Sequence, residues 1–482
     1  MLFQDSSFLI FLFWTVLFFY IFKNHIWQKF VVLSSSILFI AHSGISNLIV
    51  VLGVMVFIQG YITFSKRYGV SYFALVFCIS LLLLNLFIFK YSGFVSEIFG
   101  IASLDLRPKN WMIPLGISFY TFQLISALID FQEKNFFSKK LNISLFTIFF
   151  PQIIAGPIVR YRLLGQQLNH FHSFKFINIQ KGLYFFTIGY CKKVLIADPL
   201  ASIIDPVWAS PSSYSSTALI FASIGFYIQL YADFSGYTDM GRGAARMLGF
   251  RLPINFKAPY LAYSPAEFWQ RWHMTLSFWV RNYFFQPFSV YVVRRVNHKF
   301  IKLSLFLSIL FVMIILGFWH GANWTFGVFG LIHGLAIAIW YALTKGRAPK
   351  KIYYYIISII FTQLIWISSL IFFRSDSLGT AFNIFSGIIF FKEGLEIESL
   401  NLEIILPLIF IFLIQLVDNN VNKRHISRAL RFVRSRFIGL VFILLILFLS
   451  IGLKGNIYYK DWEFFPNSFF DSASKSFIYF EF

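Results

Sequence analysis

The chain has 482 residues, of which 58% are hydrophobic and only 13% are charged, whereas about a quarter of the residues in ordinary soluble domains are charged. A chain of this composition cannot cover its surface with polar groups, which excludes a soluble protein and indicates one that lies in lipid. The net charge of +21, from 41 Lys and Arg against 20 Asp and Glu, would suggest nucleic acid as the partner of a soluble protein. Nucleic-acid binding is not expected here, because the positions of the charges have another explanation.

The basic residues cluster in short connectors between apolar runs. This distribution is typical of cytoplasmic loops under the positive-inside rule, and it predicts which ends of the helices face the cytoplasm. A basic cytoplasmic surface would also attract the phosphates of coenzyme A. The clusters are Lys66 with Arg67, Lys139 with Lys140, Arg294 with Arg295, residues 345–351 and residues 423–436.

Residues 1–22 are expected to form the first transmembrane helix. Asp5 precedes their apolar stretch and Lys23 follows it, whereas a signal peptide has its positive charge first. Several of the later apolar segments are shorter than the ~20 residues that a perpendicular span needs, so these must be re-entrant, interfacial or buried in the bundle. The later segments are expected near residues 31–43, 45–64, 70–89, 111–130, 142–158, 181–197, 216–232, 301–319, 324–343, 352–373, 402–417 and 437–453.

We therefore predict an all-α fold: a polytopic integral membrane protein with about 10–13 membrane segments, including re-entrant or interfacial helices around a funnel. No shift in composition marks a soluble domain, so residues 1–482 are expected to form a single integral membrane domain. Residues 100–400 hold its motif-bearing core. N-terminal membrane helices occupy residues 1–99, and C-terminal membrane helices and a tail occupy residues 401–482.

A polar island, Tyr231-Ala-Asp233-Phe-Ser-Gly-Tyr-Thr-Asp239, follows an apolar run. Its two carboxylates could serve acid–base chemistry or bind a metal. However, no His or further Glu stands at ligand spacing, whereas Arg242 and Arg246 are near in sequence. A structural ion-pair network is the favoured interpretation, and no metal site is predicted.

Residues 264–281 are expected to form one amphipathic helix. Ser264 suits its N-cap and Pro265 its first turn. An apolar and a polar stripe then run side by side, the pattern of a helix that lies on the membrane or lines a funnel. The polar stripe contains His273, which is therefore expected in polar company where it would meet substrate. The apolar stripe is Phe268, Trp272, Leu276 and Trp279, and the polar stripe is Gln270, His273, Ser277 and Arg281.

His320 stands at the end of an uncharged apolar run, residues 303–318. A titratable group beside such a segment is costly in hydrocarbon, so a functional role is the default hypothesis. A neutral imidazole can both accept and donate a proton. The alternative is a packed histidine that is hydrogen-bonded to a backbone carbonyl, and for an isolated histidine this alternative would be favoured.

The residues around His320 carry further expectations. A continuing helix would put Asn323 on the same face as His320. Gly317 and Gly321 would let a backbone or a ligand approach closely. His333 would lie roughly on the same side of such a helix and is expected to support or pack against the site.

Two motifs carry a resemblance to a known family. Glu267-Phe-Trp-Gln-Arg-Trp-His273, with Arg281 behind it, and Gly317-Phe-Trp-His-Gly-Ala-Asn-Trp324 together resemble the membrane-bound O-acyltransferase family, in the branch that contains the membrane subunit of alginate O-acetyltransferases. The resemblance departs at Arg281-Asn-Tyr, where the family has Arg-Asp-Tyr, and at Pro287-Phe-Ser-Val, where it has Pro-Leu-Gly-Gly.

The resemblance implies a site and an activity. His320 and His273 are its expected catalytic residues, with His320 as general base. Other residues of the two motifs are expected to bind substrate or support the site. These are Asn323, Trp319, Arg271, Glu267 and Ser277.

The expected function is transfer of an acetyl group from a cytoplasmic thioester across the membrane towards an exported polysaccharide, as in alginate O-acetylation. Transfer of D-alanine or of a lipid chain by the same family, and transport without chemistry, stay as alternatives. We expect no tightly bound cofactor, and acetyl-CoA or another acyl thioester as co-substrate. The expected partners are membrane lipids, the polysaccharide acceptor and a separate exported or periplasmic acyltransferase. The expected location is the bacterial inner membrane, as a multi-pass protein.

Overall fold

The computed structural model of the chain describes residues 2–69, 71–108, 113–134 and 140–397, together with Ile411 and Gln415. Within these ranges every regular element is a helix, and the β-type pairing is limited to one isolated bridge between Tyr214 and Leu395. The predicted all-α class is confirmed. The segments expected near residues 402–417 and 437–453 and the basic cluster at 423–436 lie outside the described residues, apart from Ile411 and Gln415.

Each predicted apolar segment within the described residues overlaps an α-helix, but the segment 142–158 is divided between two short helices, and the helices near 31–43, 111–130 and 181–197 begin five or six residues away from the predicted starts. In chain order the described α-helices are α1 Ser6–Ile21, α2 His25–His42, α3 Ile45–Tyr68, α4 Tyr72–Lys90, α5 Ser92–Phe99, α6 Ile117–Lys134, α7 Lys140–Ile148, α8 Phe150–Ile153, α9 Tyr161–Gln167, α10 Phe176–Lys192, α11 Asp198–Ala209, α12 Ser216–Met247, α13 Pro265–Arg271, α14 Met274–Trp279, α15 Gln286–Val293, α16 Ile301–His320, α17 Trp324–Thr344, α18 Ile352–Arg374 and α19 Leu378–Ile389. π-Helical turns follow α10 at Lys193–Ala197 and α14 at Val280–Phe285.

Six helices in the described part are long and apolar enough to cross a membrane: α3, α4, α12, α16, α17 and α18. Others are apolar but shorter, as α1 and α19 are, which agrees with the expectation that some segments do not span at right angles. α12 extends beyond the predicted segment 216–232, because the polar island is itself helical. The count of about 10–13 segments stays a prediction.

The described chain forms two compact units. The first contains the residues up to Gly189 together with Tyr237–Pro253, and the second contains Tyr190–Gly236 and the chain from Ile254 onward. The single domain expected from composition stays a prediction. All the candidate site residues belong to the second unit.

The core of the first unit is a cluster of phenylalanine rings. Phe8 packs on Phe39, Phe150 and Phe186, with ring centroids 5.9, 6.3 and 6.1 Å apart. The chain leaves its helical path after the short helix α8, which has Pro151 in its first turn. Gly241 permits this arrangement, since a Cβ at that position would lie 2.4 Å from the carbonyl oxygen of Pro151.

The second unit is built on the antiparallel hairpin of α16 and α17. Their backbones approach closely at glycines: a Cβ on Gly317 would lie 2.2 Å from the carbonyl oxygen of Phe326, and one on Gly330 would lie 2.3 Å from that of Met313. Larger side chains at either position would force the helices apart. The predicted close approach at Gly317 is therefore made by the protein's own backbone.

Ion pairs account for the two carboxylates of the polar island. In the second unit Lys193 Nζ lies 2.8 Å from Asp233 Oδ1 and 2.9 Å from Asp198 Oδ1, with the Lys193 and Asp233 side chains both 2% exposed. In the first unit Asp239 pairs with Arg242 at 2.8 Å. The predicted ion-pair network is confirmed, although the partner of Asp233 is a lysine rather than one of the nearby arginines.

The antiparallel hairpin of α16 and α17 makes the prediction of membrane topology specific. The cluster at Arg294 and Arg295 precedes α16, and the cluster at residues 345–351 follows α17, so both lie at the end of the hairpin opposite His320. Because basic ends face the cytoplasm, cysteines introduced at Lys299 and Lys345 should both be protected from an impermeant thiol reagent in intact cells. The same should hold for Lys66 and Lys140.

The labelling is done in a variant that lacks Cys78 and Cys191, and permeabilised cells show that each introduced thiol can react. Labelling of Lys299→Cys or Lys345→Cys in intact cells would contradict the orientation. Opposite results at these two positions would contradict the hairpin itself.

Candidate active site

The start of α13 is fixed by a capping arrangement that the sequence predicts. Ser264 Oγ accepts a hydrogen bond from Glu267 N at 3.1 Å, and Glu267 Oε2 accepts one from Tyr263 N at 2.8 Å. Backbone donors at a helix start otherwise have no partner. Pro265 occupies the first turn, where a missing N–H costs nothing.

Glu267 and Arg271 hold this helix to the preceding loop. Glu267 Oε1 accepts from Arg271 Nε and Nη2 at 3.0 and 2.8 Å, and Arg271 Nη1 donates to the carbonyl oxygen of Ala258 at 3.3 Å. Both side chains therefore have structural partners, whereas a supporting role at the site stays a prediction. Direct binding of substrate by either stays a prediction.

The predicted continuous helix over residues 264–281 is wrong, because the helical path breaks at Trp272 and His273, where the backbone reverses its handedness. Trp272 is extended and His273 is left-handed, with φ 41° and ψ 51°, and α14 begins only at Met274. A left-handed conformation costs a residue with a Cβ roughly 1–2 kcal/mol. The apolar spacing continues across this break, so the motif does not reveal it.

Hydrogen bonds from a neighbouring loop replace those of the missing helical turn. Lys257 N donates to the carbonyl oxygen of Arg271 at 2.9 Å, and Met274 N donates to the carbonyl oxygen of Asn255 at 2.9 Å. Thr275 N donates to Asn255 Oδ1 at 3.2 Å. In an unbroken helix the carbonyl of Arg271 would accept from Thr275 N. Both groups are instead satisfied by the loop.

His273 is fully buried among aromatic rings. Its ring centroid lies 4.8 Å from that of Phe234 and 6.4 Å from that of Trp319. The polar surroundings expected from the stripe pattern are therefore wrong, because the reversal of backbone handedness turns the ring inward. Burial lowers the pKa of His273 to about 3, so the imidazole is neutral at physiological pH.

His320 is the last residue of α16 and is 5% exposed. Its ring meets those of Trp319, Phe373 and Phe329 edge-on, at centroid distances of 4.8, 5.4 and 5.8 Å. Trp319 thus contacts both His320 and His273. The structure brings the two predicted histidines into one aromatic cluster, in which Trp319 is the common neighbour.

The expectation that Asn323 shares a helix face with His320 is wrong, because α16 ends at His320. Asn323 is the N-cap of α17: its Oδ1 accepts from Thr325 N at 3.1 Å, and its Nδ2 donates to the carbonyl oxygen of Asp376 at 2.8 Å. Gly321 is also enclosed, since a Cβ there would lie 2.0 Å from the Phe326 ring. These contacts give Asn323 structural partners, and both a supporting role at the site and binding of substrate stay predictions.

His333 and Ser277 have local partners. Ser369 Oγ donates to the carbonyl oxygen of Trp366 at 2.7 Å and lies 2.9 Å from His333 Nε2, so this nitrogen is the donor to Ser369. The His333 ring packs on Trp366 at 4.4 Å, as expected of a packing residue. Ser277 Oγ donates to the carbonyl oxygen of Trp272 at 3.3 Å, which supports the reversal of backbone handedness. The described residues contain no group of three His, Cys, Asp or Glu side chains that could hold a metal ion.

Comparison with known proteins gives this site a family context. The model of the membrane-bound O-acyltransferase family matches residues 4–374, a range that includes both histidines. The chain is 33% identical over 337 residues to the peptidoglycan O-acetyltransferase of Helicobacter pylori, with 62% of each chain covered. It is 34% identical over 312 residues to the probable alginate O-acetylase AlgI of Azotobacter vinelandii, with 63% of this chain and 60% of that protein covered.

A more distant relative is the teichoic acid D-alanyltransferase of Streptococcus thermophilus. It is 26% identical over 232 residues, which cover 47% of this chain and 56% of that protein. The chain thus spans about three-fifths of the length of the two O-acetyl-transferring relatives. Residues after 374 lie outside the family match.

The left-handed backbone at His273 predicts an unusual order of stability. Glycine adopts this conformation without the steric cost that a Cβ imposes. Both variants lose the ring, but the free energy of unfolding of His273→Gly should exceed that of His273→Ala by up to about 1 kcal/mol. His273→Gly should therefore unfold at the higher temperature. Thermal denaturation in detergent measures the difference.

The same pair of substitutions at Gln270, an exposed residue inside α13, is the control. There alanine should be the more stable variant, because glycine is unfavourable within a helix. If His273→Ala were at least as stable as His273→Gly, the residue would not be strained.

Burial of a neutral His273 also predicts a pH dependence. The pKa of a histidine in the unfolded chain is about 6.5, whereas that of His273 in the folded protein is about 3. As the pH falls from 6.5 towards 3, the unfolded state binds a proton that the folded state does not, so the folded state loses stability. His273→Gln should show a shallower loss of melting temperature between about pH 7 and pH 5. Parallel curves for the two proteins would contradict a buried neutral imidazole.

Proposed function

Since the chain belongs to the membrane-bound O-acyltransferase family, we propose that it is an acyltransferase that moves an acetyl group from a cytoplasmic thioester towards an exported polysaccharide. The observation that supports this most is the joint burial of His273 and His320 around Trp319. Both histidines come from the two sequence motifs that carry the family resemblance. A transporter without chemistry would not need two enclosed imidazoles on one aromatic cluster.

The proposed mechanism is general-base catalysis by His320. Its imidazole takes the proton of the acceptor hydroxyl while the hydroxyl oxygen attacks the carbonyl carbon of the thioester. The tetrahedral intermediate then collapses, the C–S bond breaks, and the imidazolium returns the proton to the leaving thiolate. An ester and a free thiol are the products.

His273 is proposed to orient the reacting groups or to stabilise the oxyanion. A neutral imidazole carries one N–H donor, and its charge does not change over the physiological range when its pKa is about 3. Preorganised donors that point at the developing negative charge are a large source of catalysis. Glu267, Arg271, Ser277 and Asn323 are proposed to act indirectly, through the backbone that they hold.

The relatives favour acetyl as the transferred group. The two at 33% and 34% identity are named for O-acetyl transfer, whereas the one at 26% is named for D-alanyl transfer. We therefore propose alginate-like O-acetylation, with D-alanyl or lipid acyl transfer as the alternative. Acetyl-CoA or another acyl thioester is the proposed co-substrate, without a tightly bound cofactor.

The proposed location is the bacterial inner membrane, where a thioester on one side and a polysaccharide on the other can both be reached. The six apolar helices of spanning length in the described part of the chain support a multi-pass protein. The family resemblance supports a separate exported acyltransferase that receives the acetyl group and completes its transfer to the polymer.

The role of His320 is tested by His320→Gln. Glutamine keeps a hydrogen-bonding group of similar size but has no basic nitrogen, so acetyl transfer should fall by about 10²–10⁴-fold while the membrane abundance of the protein stays near normal. The variant His320→Ala is less informative than His320→Gln, because removal of the ring would leave a cavity among the aromatic side chains that now contact it. O-acetyl content of the polysaccharide and immunoblots of the membranes are the measurements.

His298→Gln is the matched control, since His298 is an exposed histidine at the other end of α16. It should keep full activity. Normal activity of His320→Gln at normal abundance would rule out the general-base assignment.

The proposed partner is tested with purified protein in liposomes, with acetyl-CoA on one side and polysaccharide on the other. Acetylation of the polymer should require addition of the exported acyltransferase. Full-rate acetylation by the membrane protein alone would show that no partner is needed.

A further inference from the structure

We infer that Asn255 is a positioning residue for His273: it holds the reversed backbone that turns the His273 ring into the aromatic cluster. The expected effect of Asn255 on activity rests on the proposed function of His273, whereas its effect on the backbone does not. Asn255 belongs to a turn-rich loop, and neither of the two family motifs includes it. Its side chain is 2% exposed.

Asn255 binds the chain immediately after the reversal in three ways. Its carbonyl oxygen accepts from Met274 N at 2.9 Å. Its Oδ1 accepts from Thr275 N at 3.2 Å and from Thr275 Oγ1 at 2.9 Å. The N–H groups of Met274 and Thr275, which would donate within a continuous helix, are thus bonded to Asn255 instead. The left-handed conformation of His273 accompanies these bonds.

The same loop also holds the chain before the reversal and the ring that seats His273. Lys257 N donates to the carbonyl oxygen of Arg271, so bonds lie on both sides of His273. Between the two bonding residues, Phe256 packs edge-on against Phe234 at 5.1 Å and against Trp272 at 5.0 Å. Phe234 is the ring that lies 4.8 Å from His273. A shift of Asn255 would therefore move both the backbone and the packing partner of His273.

A general structural role makes a different prediction from a positioning role. If Asn255 only stabilises the fold, its loss would reduce activity to the same extent whether or not residue 273 is a histidine. If it acts through His273, its effect on activity should disappear once His273 is replaced. Interaction between two substitutions is measured by a double-mutant cycle.

The first experiment is such a cycle on acetyl transfer, with Asn255→Ala and His273→Gln. Asn255→Ala alone should reduce kcat by about 10- to 100-fold with little change in KM for the thioester, because misplacement of a reacting group by about 1 Å has effects of this size. Added to His273→Gln, it should reduce activity little further. Equal losses in both backgrounds would overturn the inference.

Thr275→Val serves as a second, milder variant in case Asn255→Ala does not accumulate. Valine has nearly the shape of threonine but removes the hydroxyl that donates to Asn255 Oδ1, so the same pattern at smaller magnitude is expected. Asn297→Ala is the matched control: the Oδ1 of Asn297 also accepts from a backbone N–H, that of Lys299 at 3.1 Å, at an exposed site. It should leave activity unchanged, and its effect on the melting temperature should be the same with histidine or glycine at residue 273.

The second experiment is a cycle on melting temperature, which does not depend on any activity. His273→Gly removes the steric cost of the left-handed conformation. In the wild type, loss of Asn255 also releases that strain, which offsets part of the lost bonds. Asn255→Ala should therefore lower the melting temperature more in the His273→Gly background than in the wild-type background. Equal lowering in both would show that Asn255 does not hold a strained backbone.

The two experiments separate the inference from the proposed function. If purified wild-type protein with its partner transferred no acyl group but the melting temperatures showed coupling, the proposed function would be wrong and the backbone role of Asn255 would stand. If transfer occurred and neither cycle showed coupling, the positioning role would be wrong and the proposed function would stand.

Discussion

The candidate site depends on a backbone constraint: the helical path must break between Arg271 and Met274. Without the break, His273 would continue the polar stripe of an amphipathic helix. With it, the residue enters a conformation that costs roughly 1–2 kcal/mol, and its ring is fully buried. Strained backbone of this kind is found preferentially at functional sites, where the surrounding structure compensates its cost. The loop from Asn255 to Ala258 supplies that compensation.

The second constraint is the chemistry of the enclosure. Both histidines lie against aromatic rings, and Trp319 is in contact with each of them. Low-polarity surroundings lower the pKa of the buried His273 and so keep its imidazole neutral. They also strengthen each hydrogen bond that substrate makes there. The hairpin glycines Gly317 and Gly330 allow α16 to pack closely on α17, the helix that carries the Phe329 ring beside His320.

Much of the fold could be predicted from the sequence because membrane helices follow long apolar runs. The predicted bounds near residues 301–319 and 324–343 differ from those of α16 and α17 by a residue at the C-terminal end. The family resemblance, confirmed by the match over residues 4–374, located both histidines. Long-range hydrogen bonds could not be predicted in this way. The break at His273 depends on Asn255, which lies outside the motif and leaves the apolar spacing undisturbed.

The same limit explains the other differences. His320 and Asn323 have the spacing of helical neighbours, yet Asn323 caps the next helix, because a capping asparagine competes with helix continuation. Asp233 has arginines near it in sequence, yet pairs with Lys193 from another helix. In both cases the spacing of residues along the sequence describes a single helix, and it does not show which other part of the chain packs beside that helix.

The central claim is that the acyl group reacts at the aromatic cluster of His320. The most direct test is an experimental structure of the full-length protein bound to a thioether analogue of acetyl-CoA, which cannot be cleaved at the C–S bond. The account predicts that the acyl carbonyl lies beside the His320 imidazole, with His273 on the same cluster. An analogue whose acyl end lies away from both histidines, in a protein that is active before the analogue is added, would contradict it.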